Sequence, residues 1–301
     1  MAGYPARVWT NRLTAEQADL VRALAARAGT ADGIDPLNEE ARFALRDDAG
    51  AHVLLTSVPG TVAGYLQWQP ASGTAQLVVD PDQRRRGLGT SLLAALDDRP
   101  SRDSGVQGSS VNGIWSFGDL PPARGFAQTN RLKPSRSLLI MDRSLAGIPA
   151  PVVPDGLSLR GYGDADAAEL LAVNAAAFAH HPEQGALDAA GLAARMAEPW
   201  FDPAGLILGF DAQGLAGFHW TKQVGGTGEV YVIGVAPRTQ GRGYGKVLLR
   251  AGLAHLRRTG SDRVLLYVDS AEEVAVRMYE SAGFGVARRD VLYAPEDQEQ
   301  P

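Results

Sequence analysis

Along the chain the spacing of apolar residues switches repeatedly between the helical period of 3.6 and the alternation of a strand. In the second half, ADAAELLAVNAAAF (165–178) carries helical spacing, and GLILGFDAQGLAGFHWTK (205–222) reads as a hairpin turning at Asp211 to Gly214. GEVYVIGV (228–235) follows as a third strand. KVLLRAGLAHLRRTG (246–260) is a helix closed by Gly260, and RVLLYVD (263–269) is a strand entering a helix at 271–282. The first half repeats the order in ADLVRALAARA, AHVLLTSV, VAGYLQW, AQLVVD, TSLLAALDD and GIWSF. Each half is thus a mixed α/β (α+β) domain, and 301 residues suit two cores better than one.

The halves also share a segment. LVVDPDQRRRGLGTSLL at 77–93 superposes on IGVAPRTQGRGYGKVLL at 233–249 at an offset of 156 without a gap. Val79 meets Val235, Pro81 meets Pro237, Arg84 meets Gln240, and Gly87 and Gly89 meet Gly243 and Gly245. So long a period means duplicated domains, not a solenoid. LAGIPAPVVPDG (145–156), with three prolines and two glycines, breaks the apolar pattern and predicts a seam between a domain at 1–146 and another at 155–301.

Charge and composition narrow the function. A net charge of −5 gives no general drive toward nucleic acid or anionic lipid, so neither is expected as a partner. Without a run of 18 apolar residues or a signal-like start, a cytoplasmic protein is expected; a monomer is the separate expectation for its assembly. The absence of cysteine excludes disulfides, thiolate metal sites and a cysteine nucleophile, leaving oxygen and nitrogen groups for any chemistry. No metal is expected; His180–His181 alone makes no site. Lysine is rare, with Lys133, Lys222 and Lys246 among 29 basic residues.

QGRGYG followed directly by an apolar helix has a mechanical reading. Its glycines let backbone N–H groups converge, the helix N-terminus adds partial positive charge, and Arg242 adds a full one, which together suit a pyrophosphate. Gly-x-Gly before a helix also serves plain tight turns, and the loop alone leaves both readings open. Its place after a strand and a proline, its Gln/Arg-x-x-Gly-x-Gly pattern and its double occurrence favour the first. The pattern is neither the Walker nor the Rossmann one.

Both loops resemble the acetyl-CoA pyrophosphate motif of the GNAT N-acetyltransferases. That resemblance implies two tandem domains, each a mixed, mostly antiparallel sheet flanked by helices with a splayed central strand pair, at 229–235 and 263–269 in the second half. It further implies acetyl-CoA as co-substrate, held by Ile233, Gly234 and Val235, by Gln240, Gly241, Arg242, Gly243, Tyr244, Gly245 and Lys246, and by Glu272 and Arg277. In the first half the matching positions are Leu77, Val78, Val79, Arg84, Arg85, Arg86, Gly87, Leu88 and Gly89.

Acetylating an amine requires a base for its proton and an acid for the departing thiolate. Glu229 begins the central strand, and strict alternation puts it on one face with Tyr231, Ile233 and Val235. Tyr279 lies on the final helix. A strand-edge glutamate is ordinarily solvated and a tyrosine on an amphipathic helix ordinarily packs. By the resemblance, however, Glu229 is the base, acting through water, and Tyr279, followed by Ser281-Ala282-Gly283-Phe284, is the acid. The first half has Gly73 opposite Glu229 and Gln128 opposite Tyr279, so it is expected to be catalytically inert.

Three segments, DGIDPLNEEARFALR (32–46), NAAAFAHHPEQG (174–185) and GFHWTK with GEVYVIGVAP (217–237), resemble the mycothiol synthase family in particular. The resemblance implies transfer of acetyl to the cysteinyl amine of cysteinyl-glucosaminyl-inositol, a small aminosugar-inositol thiol. Glu39, Glu183, Lys222, Glu229 and Tyr267 would contact it, clasped between the domains. Two departures stand out: Glu272 replaces the family's asparagine, and GFAQTNRLKPSRS (125–137) carries Pro134 and lacks the family's usual ending. An aminoglycoside, a polyamine or a protein N-terminus as acceptor, or a non-catalytic acyl-CoA sensor, are the alternatives.

Overall fold

The structure is a computed structural model describing residues 8–46, 50–58, 60–99, 111–179 and 184–296. The elements in chain order are β1 (Trp9–Thr10), α1 (Ala15–Asp32), α2 (Glu39–Ala44), β2 (Ala51–Val58), β3 (Thr61–Gln69), β4 (Thr74–Val79), α3 (Leu88–Ala95), β5 (Gly113–Ser116), α4 (Pro121–Thr129) and β6 (Leu132–Ser144). There follow β7 (Ser158–Gly161), α5 (Ala167–Ala177), α6 (Ala189–Met196), β8 (Leu206–Asp211), β9 (Gly214–Val224), β10 (Thr227–Val235), α7 (Tyr244–Arg258), β11 (Arg263–Asp269), α8 (Glu273–Ser281) and β12 (Gly285–Pro295). Two compact units form: residues 1–138 with 289–301, and residues 139–288. The proline-rich stretch at 145–156 therefore lies inside the second unit. The difference from a division at that stretch arises because β6 ends in the second unit and β12 ends in the first, and neither strand is marked by strict alternation.

In the first unit α1 starts at a capping box, Thr14 Oγ1 accepting from the Gln17 N–H, and stops at Gly33 in the left-handed region. Its Val21, Leu24 and Ala28 pack with Tyr65 and Val78 on one face of the sheet. Leu92 and Ala95 of α3 cover the other, against Val53, Leu55 and Leu66. Strands β1 to β4 run antiparallel in order, with an unbroken β3–β4 register from Gly64↔Val79 to Gln69↔Thr74. Strand β5 pairs with β4 in parallel at Thr74↔Gly113 and Ala75↔Ile114, and its far side pairs with Val291–Tyr293 of β12. Helix α4 begins with Pro121, whose missing N–H costs nothing at the first helical position. Pro134, which departs from the family's pattern in the sequence, lies in β6.

The second unit repeats the plan. β7, β8, β9 and β10 are successively antiparallel, and β10 pairs in parallel with β11 over Thr227–Val230 and Arg263–Leu266. Leu170 of α5 and Leu192 of α6 cover one face with Phe218 and Trp220, while Leu249, Leu253 and Leu256 of α7 cover the other with Val264 and Leu266. Among the described residues no helix is long and apolar enough to cross a membrane.

Candidate active site

The loop between β10 and α7 is built on a fixed base. Thr239 Oγ1 donates to the Ala216 and Ala236 carbonyls at 2.8 and 2.9 Å. The Arg238 guanidinium reaches Asp211 at 2.7 Å and the carbonyls of Gly214 and Leu215, pinning the loop to the β8–β9 turn. Arg238 also holds the Asp211 carboxyl below the usual range. Above this base Gly241 and Gly243 take φ of +79° and +82°, where an L side chain is strained. Gly243 is the N-cap of α7 and supplies no side chain to cap it. The helix thus opens with N–H groups that no cap takes up, as an anion site requires. Gln240, Arg242 and Lys246 are exposed around it, with Tyr244 half-buried.

The first unit repeats this backbone. Gly87 caps α3 at φ 81°, ψ 0°, against φ 82°, ψ 0° at Gly243. Arg85 takes the place of Gly241 and is held at φ 62°. Its neighbours differ: Arg84, the counterpart of Gln240, makes a two-pronged pair with Asp32 at 2.8 and 2.7 Å, which raises its pKa. A cavity of about 440 Å³ opens here, lined by Leu77, Val79, Arg85, Gly87, Trp115 and Tyr293 among others.

At the centre of the second unit the alternation of β10 breaks. Its register against β9 jumps between Val230↔Thr221 and Val232↔Trp220, leaving Tyr231 as a bulge. The bulge corrects the reading that Glu229, Tyr231, Ile233 and Val235 share a face. Ile233 and Val235 pack on the α7 side with Leu248 and Ala251, whereas Tyr231 and Val232 lie on the α5 side with Leu170 and Trp220. Glu229 stays with Tyr231. Beyond Val230 the parallel pairing with β11 also ends, so the backbone of Ile233–Val235 lies where the two strands part.

Glu229 stands opposite Lys222 of β9, with Oε2 4.0 Å from Nζ and both side chains largely covered. Lys222 Nζ lies 4.9 Å from the Trp200 ring centroid and 5.1 Å from that of Tyr231. Arg195 of α6 donates from Nε to Tyr231 Oη at 3.0 Å. The residue spacing marks none of Trp200, Tyr231 and Arg195, since the three meet only through the bulge and the packing of α6. Tyr267 of β11 is half exposed. Glu183 lies outside the described residues, and Glu39 opens α2 in the first unit behind its N-cap Asn38.

Tyr279 of α8 is buried, edge-on to Phe284 at 5.8 Å, and burial raises its pKa well above the ordinary phenol value. The phenol therefore keeps its proton throughout the working range. Glu272 takes the N-cap position of α8 without making a capping hydrogen bond, and Arg277 pairs with Glu273 on the exposed face. Helices α4 and α8 are both nine residues long and their seventh positions are buried. That match sets Ala127, not Gln128, opposite Tyr279; Gln128 is exposed. Likewise Phe126 stands for Met278, its ring 3.0 Å from where a Cβ on Gly89 would lie, while Met278 Sδ lies 3.5 Å from the same point on Gly245.

A sheet that splays beside a glycine loop, repeated in two units, defines the class. The model of the acetyltransferase (GNAT) family matches residues 19–108 and 178–284, and the chain belongs to that family. Among its relatives are the mycothiol acetyltransferase of Nocardia farcinica, 44% identical over 95% of this chain and 96% of the relative, and that of Mycobacterium ulcerans, 43% identical over the same shares. The fold is that of a GCN5-related N-acetyltransferase from Sphaerobacter thermophilus (TM-score 0.69, 22% identity, 97% and 96% covered). A tandem GNAT protein from the clavulanic acid biosynthesis pathway is also similar (TM-score 0.68, 19% identity, 98% and 100% covered).

Proposed function

We propose that the chain is a mycothiol acetyltransferase, moving acetyl from acetyl-CoA to the cysteinyl amine of cysteinyl-glucosaminyl-inositol, with the chemistry confined to the second unit. The observation that carries this reading is identity of 42–44% over nearly the full length of several relatives of that name. The second-unit loop fits the proposed co-substrate: an uncapped helix start and two left-handed glycines, with no atom within 4 Å of a Cβ built on either, leave room for a pyrophosphate. When bound, acetyl-CoA supplies an activated acetyl thioester.

The remaining work falls to side chains. An α-ammonium with a pKa of about 8 must lose a proton before its nitrogen can attack. Glu229, at the base of the splay, takes that proton through a water. Tyr279 holds its proton on Oη for the leaving sulfur. Lys222 and Tyr267 bind the acceptor beside Glu229.

The test offers the protein acetyl-CoA with the cysteinyl aminosugar-inositol, an aminoglycoside, a polyamine and an N-terminal peptide. Loss of thioester absorbance and the mass of the product are followed. Acetylation of the first acceptor at least about tenfold more efficiently than the rest is expected. Turnover of another acceptor in its place would redirect the assignment, and acetyl-CoA binding without turnover of any would make the chain a sensor.

A further inference from the structure

The match of α4 with α8 runs beyond the helices without a gap, setting Ser116 opposite Val268 and Leu132 opposite Phe284. In the second unit Tyr279 and Phe284 meet edge to face at 5.8 Å, and Val268 shares their core. The first unit has Ala127 and Leu132 packed together in place of the two rings. A phenol and a phenyl group are thus exchanged for a methyl and an isobutyl group, and the cavity of about 440 Å³ behind the Gly87 loop reaches both. That volume falls in the range of small-ligand sites, about 300–1,000 Å³.

The polar groups of this cavity are few and specific. Ile114 packs on the α3 face of the sheet, and alternation puts Ser116 on the same face, toward the cavity it lines. Ser116 is 9% exposed, and its Oγ has no hydrogen-bond partner among the described residues. A buried hydroxyl without a partner, where the second unit has Val268, is accounted for by a ligand that supplies one. Tyr293 also lines the cavity, but its Oη donates to Asp119 at 2.7 Å, so this phenol's proton is already engaged. Where the cavity meets α3, the helix opens behind Gly87 with no side-chain cap, and Arg85 stands beside it, which suits an anionic group. A single ligand must therefore offer an anionic end, a polar stem and an apolar end. We propose that the first unit binds, without turning it over, a coenzyme A thioester whose acyl chain is longer than acetyl, with the chain against Ala127 and Leu132 and Ser116 bonded to the polar stem. The proposal rests on the reading that the chemistry is confined to the second unit.

Calorimetry on the full chain in a Gly243→Val background, where the second-unit loop is impaired, reads the first unit. Each added methylene should tighten binding about fourfold, the equivalent of about 0.8 kcal/mol, so butyryl-CoA should bind about 15-fold more tightly than acetyl-CoA. Ala127→Tyr should abolish that gain, and Leu132→Phe, which carries the second unit's own residue, covers the case in which Ala127→Tyr does not fold. Ser116→Ala should weaken both thioesters alike, by about 2- to 10-fold. With Gly243 intact, Ala127→Tyr and Leu132→Phe should leave acetyl transfer within about twofold of the parent. Equal affinity for acetyl-CoA and butyryl-CoA, or a chain-length gain that survives both substitutions, would overturn the proposal while leaving the assignment of the chemistry standing. Loss of acetyl transfer in folded Ala127→Tyr or Leu132→Phe would instead overturn the confinement of the chemistry to the second unit, and with it the claim that the thioester is held unreacted.

Discussion

Gly243 and Gly87 occupy the same backbone conformation in two loops to which we assign different tasks, so the same substitution at each separates fold from function. Both sit near φ 81°, ψ 0°. An L residue there costs about 1–2 kcal/mol, and a β-branched one more. For a unit of about 150 residues that amounts to roughly 2–8 °C in Tm, at about 2–4 °C per kcal/mol. Valine at either position should show this loss from φ, and at Gly243 crowding adds nothing, since no atom lies within 4 Å of a Cβ built there. The functional consequences should diverge. If the Gly243 loop relaxes, one N–H meant for the pyrophosphate turns away, and a hydrogen bond to a charged group is worth about 1.5–3 kcal/mol. The acetyl-CoA KM should then rise about 10- to 100-fold in Gly243→Val. Gly87→Val should leave kcat and that KM within about twofold. Gly243→Asn, which tolerates the left-handed region, should fall between valine and the parent. Steady-state kinetics with thermal melting decides the matter. Equal loss of turnover from the two valine variants would mean that both units share the chemistry, and an unchanged KM in Gly243→Val would remove the loop from acetyl-CoA binding.

Tyr279→Phe should lower kcat about 100-fold with little change in acetyl-CoA KM, and unaltered turnover would take the phenol out of the mechanism. Glu229→Gln should lose most activity near neutral pH and recover part of it as pH rises and the α-amine, with a pKa of about 8, deprotonates unaided; a loss independent of pH would indicate acceptor positioning instead. His219 is fully buried with its Nδ1 bonded to the Leu248 carbonyl, and burial pushes its pKa from 6.5 down to about 4. The unfolded chain therefore binds the extra proton first. Stability from this group is complete above about pH 6.5, declines as pH falls toward 4, and is worth on the order of 3 kcal/mol. Denaturation midpoints between pH 4 and 7 should fall accordingly, and a His219→Gln variant should show a flatter slope, whereas equal slopes would assign the acid sensitivity elsewhere.

The features legible in the sequence are those decided locally. Glycines that must adopt φ near 80° mark both loops, and strict periodicity marks β8, β9 and α7 to within two residues. Features that depend on a second element were not legible. The Tyr231 bulge exists only in the register of β10 against β9, and one inserted residue sends Ile233 and Val235 to the other face. The one-residue error that placed Gln128 opposite Tyr279 has the same origin, because burial of the seventh position of α4 is set by Val291 and Tyr293, more than 160 residues away. Strand β6, with Lys133, Pro134 and Arg136, lacks the alternation of a half-buried strand, so nothing in its sequence marks it as one.

Under the proposed division of labour, β4 and β10 show how similar loops would coexist with unequal chemistry. Duplication preserved what backbone conformation dictates: the splay of a parallel pair, the left-handed glycine and the helix start behind it. In β4 the register against β3 runs unbroken, and Ala75 pairs with Trp68 and packs beneath α3. The equivalent of Ala75 in β10 is Tyr231, which the bulge turns to the α5 side beside Glu229 and Lys222. Restoring a glutamate at Gly73 and a tyrosine at Ala127 would therefore supply the two proton-handling groups without the bulge that arranges a charged, aromatic wall around the first. On the proposed assignment of the chemistry to the second unit, strand register as well as missing side chains would keep the first unit inert, and the bulge is the structural difference that sets β10 apart from β4.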